Sequence, residues 1–332
     1  MDKKKFSFFA WMQKIPGGII LAPLLIGVFL NTFFPKLLEI GGFTTGMFKT
    51  GTACLLGLFL LLNGAGIDVR HIGSPFYRGF VLTLMKFIVG VVFGLAVSFV
   101  CGKAGFLGIT PMAIIAALTN SAGGEYLALA REYGTPDDAG AISILSLNDG
   151  PFFTMVAMGA AGLASIPFTS FIATLIPLII GIIWGNLDSE FREHAGRALP
   201  IVCFFMMIPI GAGMTLRGLL AGGFGGVILA VISALTAFLF YFLYQFCLPK
   251  KQRNAMGAAI GTTAANATSV PAALAETDPA WAPYAEAATA QVTVAALVTA
   301  FTCPVITAWL DRRMRAAKAG MYANEENTDQ AN

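Results

Sequence analysis

Charge is scarce in this sequence. Lysine, arginine, aspartate and glutamate make up 12% of its 332 residues, about half the share found in soluble domains. That is too little to cover a water-facing surface, so an ordinary soluble fold is excluded. Histidine occurs twice, as His71 and His194, and none of the five cysteines belongs to a Cys-x-x-Cys pair. Ligands this isolated argue against a structural or catalytic metal site, and nothing in the sequence calls for a cofactor. Cys54, Cys101, Cys203, Cys247 and Cys303 fall in or beside apolar runs, where a thiol acts as a small hydrophobe. Long polar segments are missing too, so no soluble catalytic domain is inserted. Neither an acid pair nor a nucleophile with its base stands at a membrane edge, which argues against an enzyme acting on lipid-linked substrates. The net charge of +3 comes from short loops and is no sign of nucleic-acid binding.

What is present is hydrophobic: 57% of the residues, with a mean hydropathy of +0.75. The expected class is an all-α membrane protein embedded in a lipid bilayer, each span needing about 20 apolar residues. Ten candidates follow, at residues 15–34, 45–66, 79–101, 108–133, 138–163, 168–186, 198–216, 222–247, 254–276 and 284–310. Residues 1–14 read as a cytoplasmic end with a short interfacial helix, since no small-residue cleavage site follows the basic start. Residues 312–332 read as a cytoplasmic tail.

Charge placement supports this topology. With both termini in the cytoplasm, that side receives all but five of the 21 lysines and arginines. Lys36, Lys49, Lys103 and Arg217 lie opposite, Lys86 lies within a span, and the asymmetry obeys the positive-inside rule.

The chain also repeats. Pro23 to Asn31, PLLIGVFLN, returns one residue longer as PLIIGIIWGN from Pro177 to Asn186. GAGIDVR from Gly64 returns as GAGMTLR from Gly211, and TNSAGGEYLALARE from Thr119 resembles TAANATSVPAALAE from Thr263. Three matches in one order divide the protein into five-span repeats, 15–163 and 168–311. Five is odd, so the second repeat is inverted relative to the first, the arrangement of secondary transporters. A receptor or scaffold gives no reason for such duplication.

The third match falls where hydrocarbon should be. Span four is apolar from Leu107 to Leu118, roughly 18 Å of helix, and then meets Asn120, Ser121, Gly123 and Gly124 near mid-membrane. The glycines can leave helical geometry while Asn120 and Ser121 cap or bind, and a half-helix then runs from about Gly124 to Tyr133. In span nine, Asn266, Thr268 and Ser269 precede Pro271, a residue suited to a first helical turn. Helices four and nine are thus expected to break and cross, aiming two positive N-termini at a small polar anion. Polar residues that only glue helices together are the simpler reading of one break. Two matching breaks favour a binding site.

Among ionisable residues, Asp149 is the most deeply placed acid and the first candidate for a proton carrier. Glu125, at the start of a half-helix, would compete with an anion for that helix end and is the second. Lys86 can meet a substrate carboxylate or Asp149, or reach the surface along its own stem. Asn63, Asn148, Thr289 and Gln291 are further cavity candidates.

IPGG at 15–18, NSAGGEYLAL at 120–129, YGTPDDAGA at 133–141, SLNDGPFFTM at 146–155 and GNLD at 185–188 together resemble the 2-keto-3-deoxygluconate permease family. The resemblance covers the chain from Ile15 to about Arg313. It implies a bacterial inner-membrane importer of that sugar acid by proton symport, related in fold to the bile acid/sodium symporters. It further implies a core of spans three to five and eight to ten moving against a panel of spans one, two, six and seven. Ser121 and Ala122 interrupt the compact Asn-Gly-Gly of the family pattern, and Asn266 and Thr268 make the second break more polar. A sodium-coupled carrier of another organic anion is the alternative, with Asn120, Thr268, Gln291 and unwound carbonyls as sodium ligands. A homo-oligomer is compatible with either reading.

Overall fold

The computed structural model of the protein describes residues 18–69, 73–148 and 150–329, together with Ser7 and Met12. The interfacial helix expected in residues 1–14 lies outside the described residues apart from those last two. Among the described residues the fold is helical, with one isolated bridge between Phe106 and Ile109. The principal helices are α1 (Gly18–Phe33), α2 (Thr52–Ala65), α3 (Ser74–Cys101), α4 (Pro111–Thr119), α5 (Gly123–Tyr133), α6 (Pro136–Gly140), α7 (Ile142–Leu145) and α8 (Pro151–Ala160). There follow α9 (Phe168–Leu187), α10 (Ser189–Ala212), α11 (Leu216–Cys247), α12 (Met256–Ala259), α13 (Val270–Thr277) and α14 (Ala282–Asp329). The segment read as a C-terminal tail continues α14 instead of leaving it.

By length and composition, four helical stretches can cross a membrane, or up to six if bent pairs count as single spans. The chain is a multi-pass membrane protein. Its outer face is what lipid requires: Phe99, Phe246 and Val305 are more than half exposed, an apolar display that water would penalise. Residues 108–133 and 254–276, expected as spans four and nine, are each divided, into α4 and α5 and into α12 and α13. Neither half alone is long enough to cross. Residues 138–163 are divided as well, because Gly150 at φ 101° turns the chain before Pro151 opens α8. A side chain there would strain the backbone.

Two groups of helices have separate apolar centres. One centre is made by α4, α8, α11, α13 and α14, through residues such as Ile114, Met158, Leu229, Val270 and Val292. The other joins α1, α2 and α10 through Leu24, Phe59 and Met206. Contacts in the second group come in matched pairs. A Cβ on Gly27 would lie 2.2 Å from the Ile208 carbonyl oxygen and 2.8 Å from the Ala212 nitrogen, so α1 and α10 touch backbone to backbone. A Cβ on Gly181 would lie 2.0 Å from the Leu61 carbonyl oxygen and 2.9 Å from the Ala65 nitrogen, and α9 meets α2 in the same way. Asn31 Nδ2 donates to the Met214 carbonyl at 2.9 Å, and Asn186 Nδ2 donates to the Ile67 carbonyl at 2.8 Å. Repeated sequence positions therefore make repeated contacts, each crossing from one half of the chain to the other.

Such close approach sets a steric test. Gly181→Val should force α9 off α2 and lower stability by about 1–3 kcal/mol, the usual cost of overpacking. Exposed Gly196 has open space around it, so Gly196→Ala should be neutral or slightly stabilising. Equal thermal unfolding of the two variants in detergent would contradict the backbone contact.

Candidate functional site

The two divided segments meet at their breaks. After α4 the chain unwinds at Asn120, with φ −106° and ψ 129°, and α5 begins after Ala122. The second break runs from Ile260 to Ala264, and a 3-10 turn, Ala265–Ser269, leads into α13. Backbone polar groups inside a membrane need partners, and each break supplies them to the other. The Ala264 amide donates to the Asn120 carbonyl at 3.3 Å, and the Ala122 amide donates to Thr262 Oγ1 at 3.1 Å.

The side chains expected to bind substrate divide into two sets. Asn120 is fully buried and faces the protein: Nδ2 donates to the Ala116 carbonyl at 2.9 Å and to Thr154 Oγ1 at 3.0 Å, while Oδ1 accepts the Gly150 amide at 3.2 Å. Ser121 pairs with Asn148, its hydroxyl 3.0 Å from Nδ2. Neither caps α5, whose N-cap is Ala122. The Thr268 and Ser269 hydroxyls donate back to the Ala265 and Asn266 carbonyls at 2.8 and 2.7 Å, which holds the 3-10 turn closed. Ser269 does occupy the N-cap position of α13, without a side-chain cap, and Pro271 lies in the first turn as its sequence position suggests. Lys86 is 1% exposed, and its Nζ donates to the Asn120 carbonyl at 2.5 Å and the Thr262 carbonyl at 2.6 Å. It neither reaches the surface nor ends at a substrate cavity. Asp149 lies outside the described residues.

The second set lines a cavity of ≈ 250 Å³, room for about eight waters and so for one small polar molecule. Gly123, Gly124 and Glu125 form one wall, and Ala264, Ala265 and Asn266 another. Phe59 and Asn63 of α2 and Leu199 and Cys203 of α10 close it from the other helix group. Helix α5 thus begins at the cavity, and so does the 3-10 turn that leads into α13. Among the described residues the Gly123 and Gly124 amides have no acceptor, as expected for the first turn of a helix. Glu125 Oε2 is buried with no hydrogen-bond partner among the described residues. An orphaned carboxyl oxygen beside free amides suits a proton and an anion, the two entities that would satisfy both.

Phe59, Leu199 and Cys203 were not anticipated. They sit in apolar stretches of α2 and α10, where nothing local separates a cavity wall from a packing contact; α2 is itself the second half of the expected span 45–66, bent by 58° from the helix Gly42–Phe48. Asn63 was, and its Nδ2 also donates to the Ser146 carbonyl at 3.0 Å. Gln291 lies at a different cavity, beside Gly108 and Glu286. Thr289 is buried in α14.

Residues 9–316 match the family model described as 2-keto-3-deoxygluconate permease. The chain is 42% identical over 313 residues to 2-keto-3-deoxygluconate permease 1 of Salmonella typhimurium, covering 94% of this chain and 98% of that protein. It is 36% identical over 318 residues to the 2-keto-3-deoxygluconate permease of Bacillus subtilis, covering 93% and 95%. To the protein of the same name from Escherichia coli O7:K1 it is 31% identical over 314 residues, covering 93% and 95%. Similarity along nearly the whole of each chain, including both breaks, places this protein in the 2-keto-3-deoxygluconate permease family.

Proposed function

We propose that the protein is a secondary transporter importing a small sugar-acid anion, 2-keto-3-deoxygluconate, by proton symport across a bacterial inner membrane, with both termini in the cytoplasm. The observation that carries this reading is the cavity where the N-terminus of α5 and the turn leading into α13 meet beside an orphaned carboxyl. The matched contacts of Gly27 with Gly181 and of Asn31 with Asn186 support ten spans arranged as two inverted repeats. The broken spans four and nine belong to a core, and α1, α2, α9 and α10 to a panel.

Alternating access has a physical basis in the gaps between these groups. The substrate cavity touches α2 at Phe59 and Asn63. A second cavity of ≈ 340 Å³ touches it nearer its start, at Ala53, Leu56, Gly57 and Leu60, and reaches Glu276 at the far end of α13. In the proposed topology the first opens toward the cytoplasm and the second away from it. Sliding the core along the panel would close one gap and widen the other.

Proton coupling follows from electrostatics. Importing a monoanion against an inside-negative potential costs about 2.3 kcal/mol per 100 mV, which one proton cancels and two exceed. Glu125, when ionised, repels an anion at the same helix end; when protonated, it leaves the amides of Gly123 and Gly124 and the amide side chain of Asn266 for the substrate. Asp149 is the second proposed carrier. The chain on both sides of it is tied to the first break, through Asn148 with Ser121 and Gly150 with Asn120.

The test is uptake of labelled 2-keto-3-deoxygluconate into proteoliposomes under a proton gradient or a sodium gradient, with Asp149→Asn beside wild type. Proton-driven uptake in wild type, lost in the variant while binding persists, is expected. Uptake driven only by sodium would overturn the coupling, and no uptake of this sugar acid would overturn the substrate.

A further inference from the structure

The crossing has two electrical faces. The N-terminus of α5 and the 3-10 turn leading into α13 open on the substrate cavity, and on the other side the chain leaving α4 and the chain leaving α12 present main-chain carbonyls to one point. Unwound carbonyls at half-helix C-terminal ends are where membrane carriers hold a coupling cation. In this protein that point is filled. Lys86 Nζ donates to the Asn120 carbonyl at 2.5 Å and to the Thr262 carbonyl at 2.6 Å, one oxygen from each break.

Helix α3 is shaped to deliver this group. A Cβ on Gly90 would lie 2.6 Å from Thr119 Cγ2, and one on Gly94 would lie 2.2 Å from Ile115 Cγ1. With those side chains absent, α3 lies directly against α4, and Lys86, one turn before Gly90, ends at the crossing. The ammonium supplies donors to carbonyls that the unwound chain leaves without helical partners. The negative end of the α4 dipole favours its charge.

We propose that Lys86 is a tethered cation occupying the place a free sodium ion would take between the two breaks, and that it thereby determines ion specificity, making the protein indifferent to sodium. This inference rests on the crossing architecture proposed above, and its test is read without transport. Lys86 is therefore a positioning residue for the two breaks and is removed from the set of substrate contacts.

The experiment compares thermal unfolding of purified wild type, Lys86→Ala and Lys86→Arg in detergent at fixed pH and ionic strength, with sodium, choline or n-propylammonium chloride. Wild type should melt at one temperature in all three salts. Lys86→Ala should melt about 5 °C or more lower in choline, because the Thr262 carbonyl loses its ammonium donor and the Asn120 carbonyl keeps only the Ala264 amide. Sodium or n-propylammonium should restore it with saturable dependence on concentration, whereas choline, too bulky for the space, should not. Lys86→Arg, which keeps charge and donors, should stay salt-indifferent. The proposal is overturned if sodium stabilises wild type, if Lys86→Ala melts like wild type in choline, or if neither small cation restores it. Should Lys86→Ala fail to fold, Lys86→Gln carries the same comparison, and the wild-type titration decides by itself. Absence of sugar-acid uptake would sink the functional reading while leaving these melting curves interpretable.

Discussion

Glu125→Gln should abolish accumulation of the sugar acid driven by a pH gradient while preserving its binding. Oε2 of Glu125 is buried at the cavity with no hydrogen-bond partner among the described residues, and the Gly123 and Gly124 amides stand beside it. Two like charges about 5 Å apart in an effective dielectric of about 20 repel by about 3 kcal/mol, more than a hundredfold in affinity. In the proposed symport, ionised Glu125 should reject the anion and protonated Glu125 should admit it. In wild type the anion's affinity should fall as pH rises through the titration of this carboxyl. Glutamine copies the protonated form, so the variant should bind at the wild-type low-pH affinity at every pH and exchange substrate without accumulating it. Equilibrium binding across pH and gradient-driven uptake in proteoliposomes provide the two readings. A variant whose binding still weakens with rising pH as in wild type, and which still accumulates substrate on a pH gradient, would remove Glu125 from the coupling.

Asp138→Ala should be the most destabilising single change outside the cavity. Asp138 is fully buried and gathers donors from four parts of the chain. Arg78 Nη1 and Asn254 Nδ2 both donate at 2.6 Å, the Thr135 amide and hydroxyl at 2.8 Å, and the Tyr244 hydroxyl at 3.3 Å. The bond from the Thr135 amide closes a capping box at the start of α6. Arg78, itself 2% exposed, is held also by Gln252. Removing the carboxylate takes from the buried guanidinium its one buried counter-charge among the described residues, leaving the half-exposed Asp137 at 3.9 Å, a loss of about 3–5 kcal/mol. The exposed Arg197 and Glu193 pair on α10 is the control, since a surface pair of this kind contributes less than about 1 kcal/mol. Thermal unfolding of Asp138→Ala and Glu193→Ala in detergent measures the contrast. Similar melting temperatures would mean that the network does not join the ends of α3, α6 and α11.

Both breaks were legible before any coordinates, because their cause is local. A run of about a dozen apolar residues that ends in Asn-Ser-Ala-Gly-Gly cannot continue as a lipid-facing helix, and α5 begins at Gly123, one residue before the expected start. Pro271 marked the first turn of α13 for the same reason. The apolar stretches and the glycines of the repeated segments are likewise properties of short stretches.

The roles of polar side chains at the breaks were less accessible. At an extended residue the side-chain direction depends on what surrounds it. Asn120 turns inward because Thr154 and the Gly150 amide, at least 30 positions away, complete its hydrogen bonds. Lys86 has three readings when taken alone, and none of them names the carbonyls of two distant breaks to which it donates. Glu125, the second candidate on local grounds, is the acid that lines the cavity with an unpartnered oxygen among the described residues.

The sequence by itself determined that this is a helical membrane protein and where two of its apolar stretches break, since hydropathy, charge placement and helix-breaking residues act over a few turns. Tertiary structure alone decided which groups face the cavity and which hold it together. Those assignments depend on hydrogen bonds and charges meeting across dozens or hundreds of residues, where no local pattern specifies the partner.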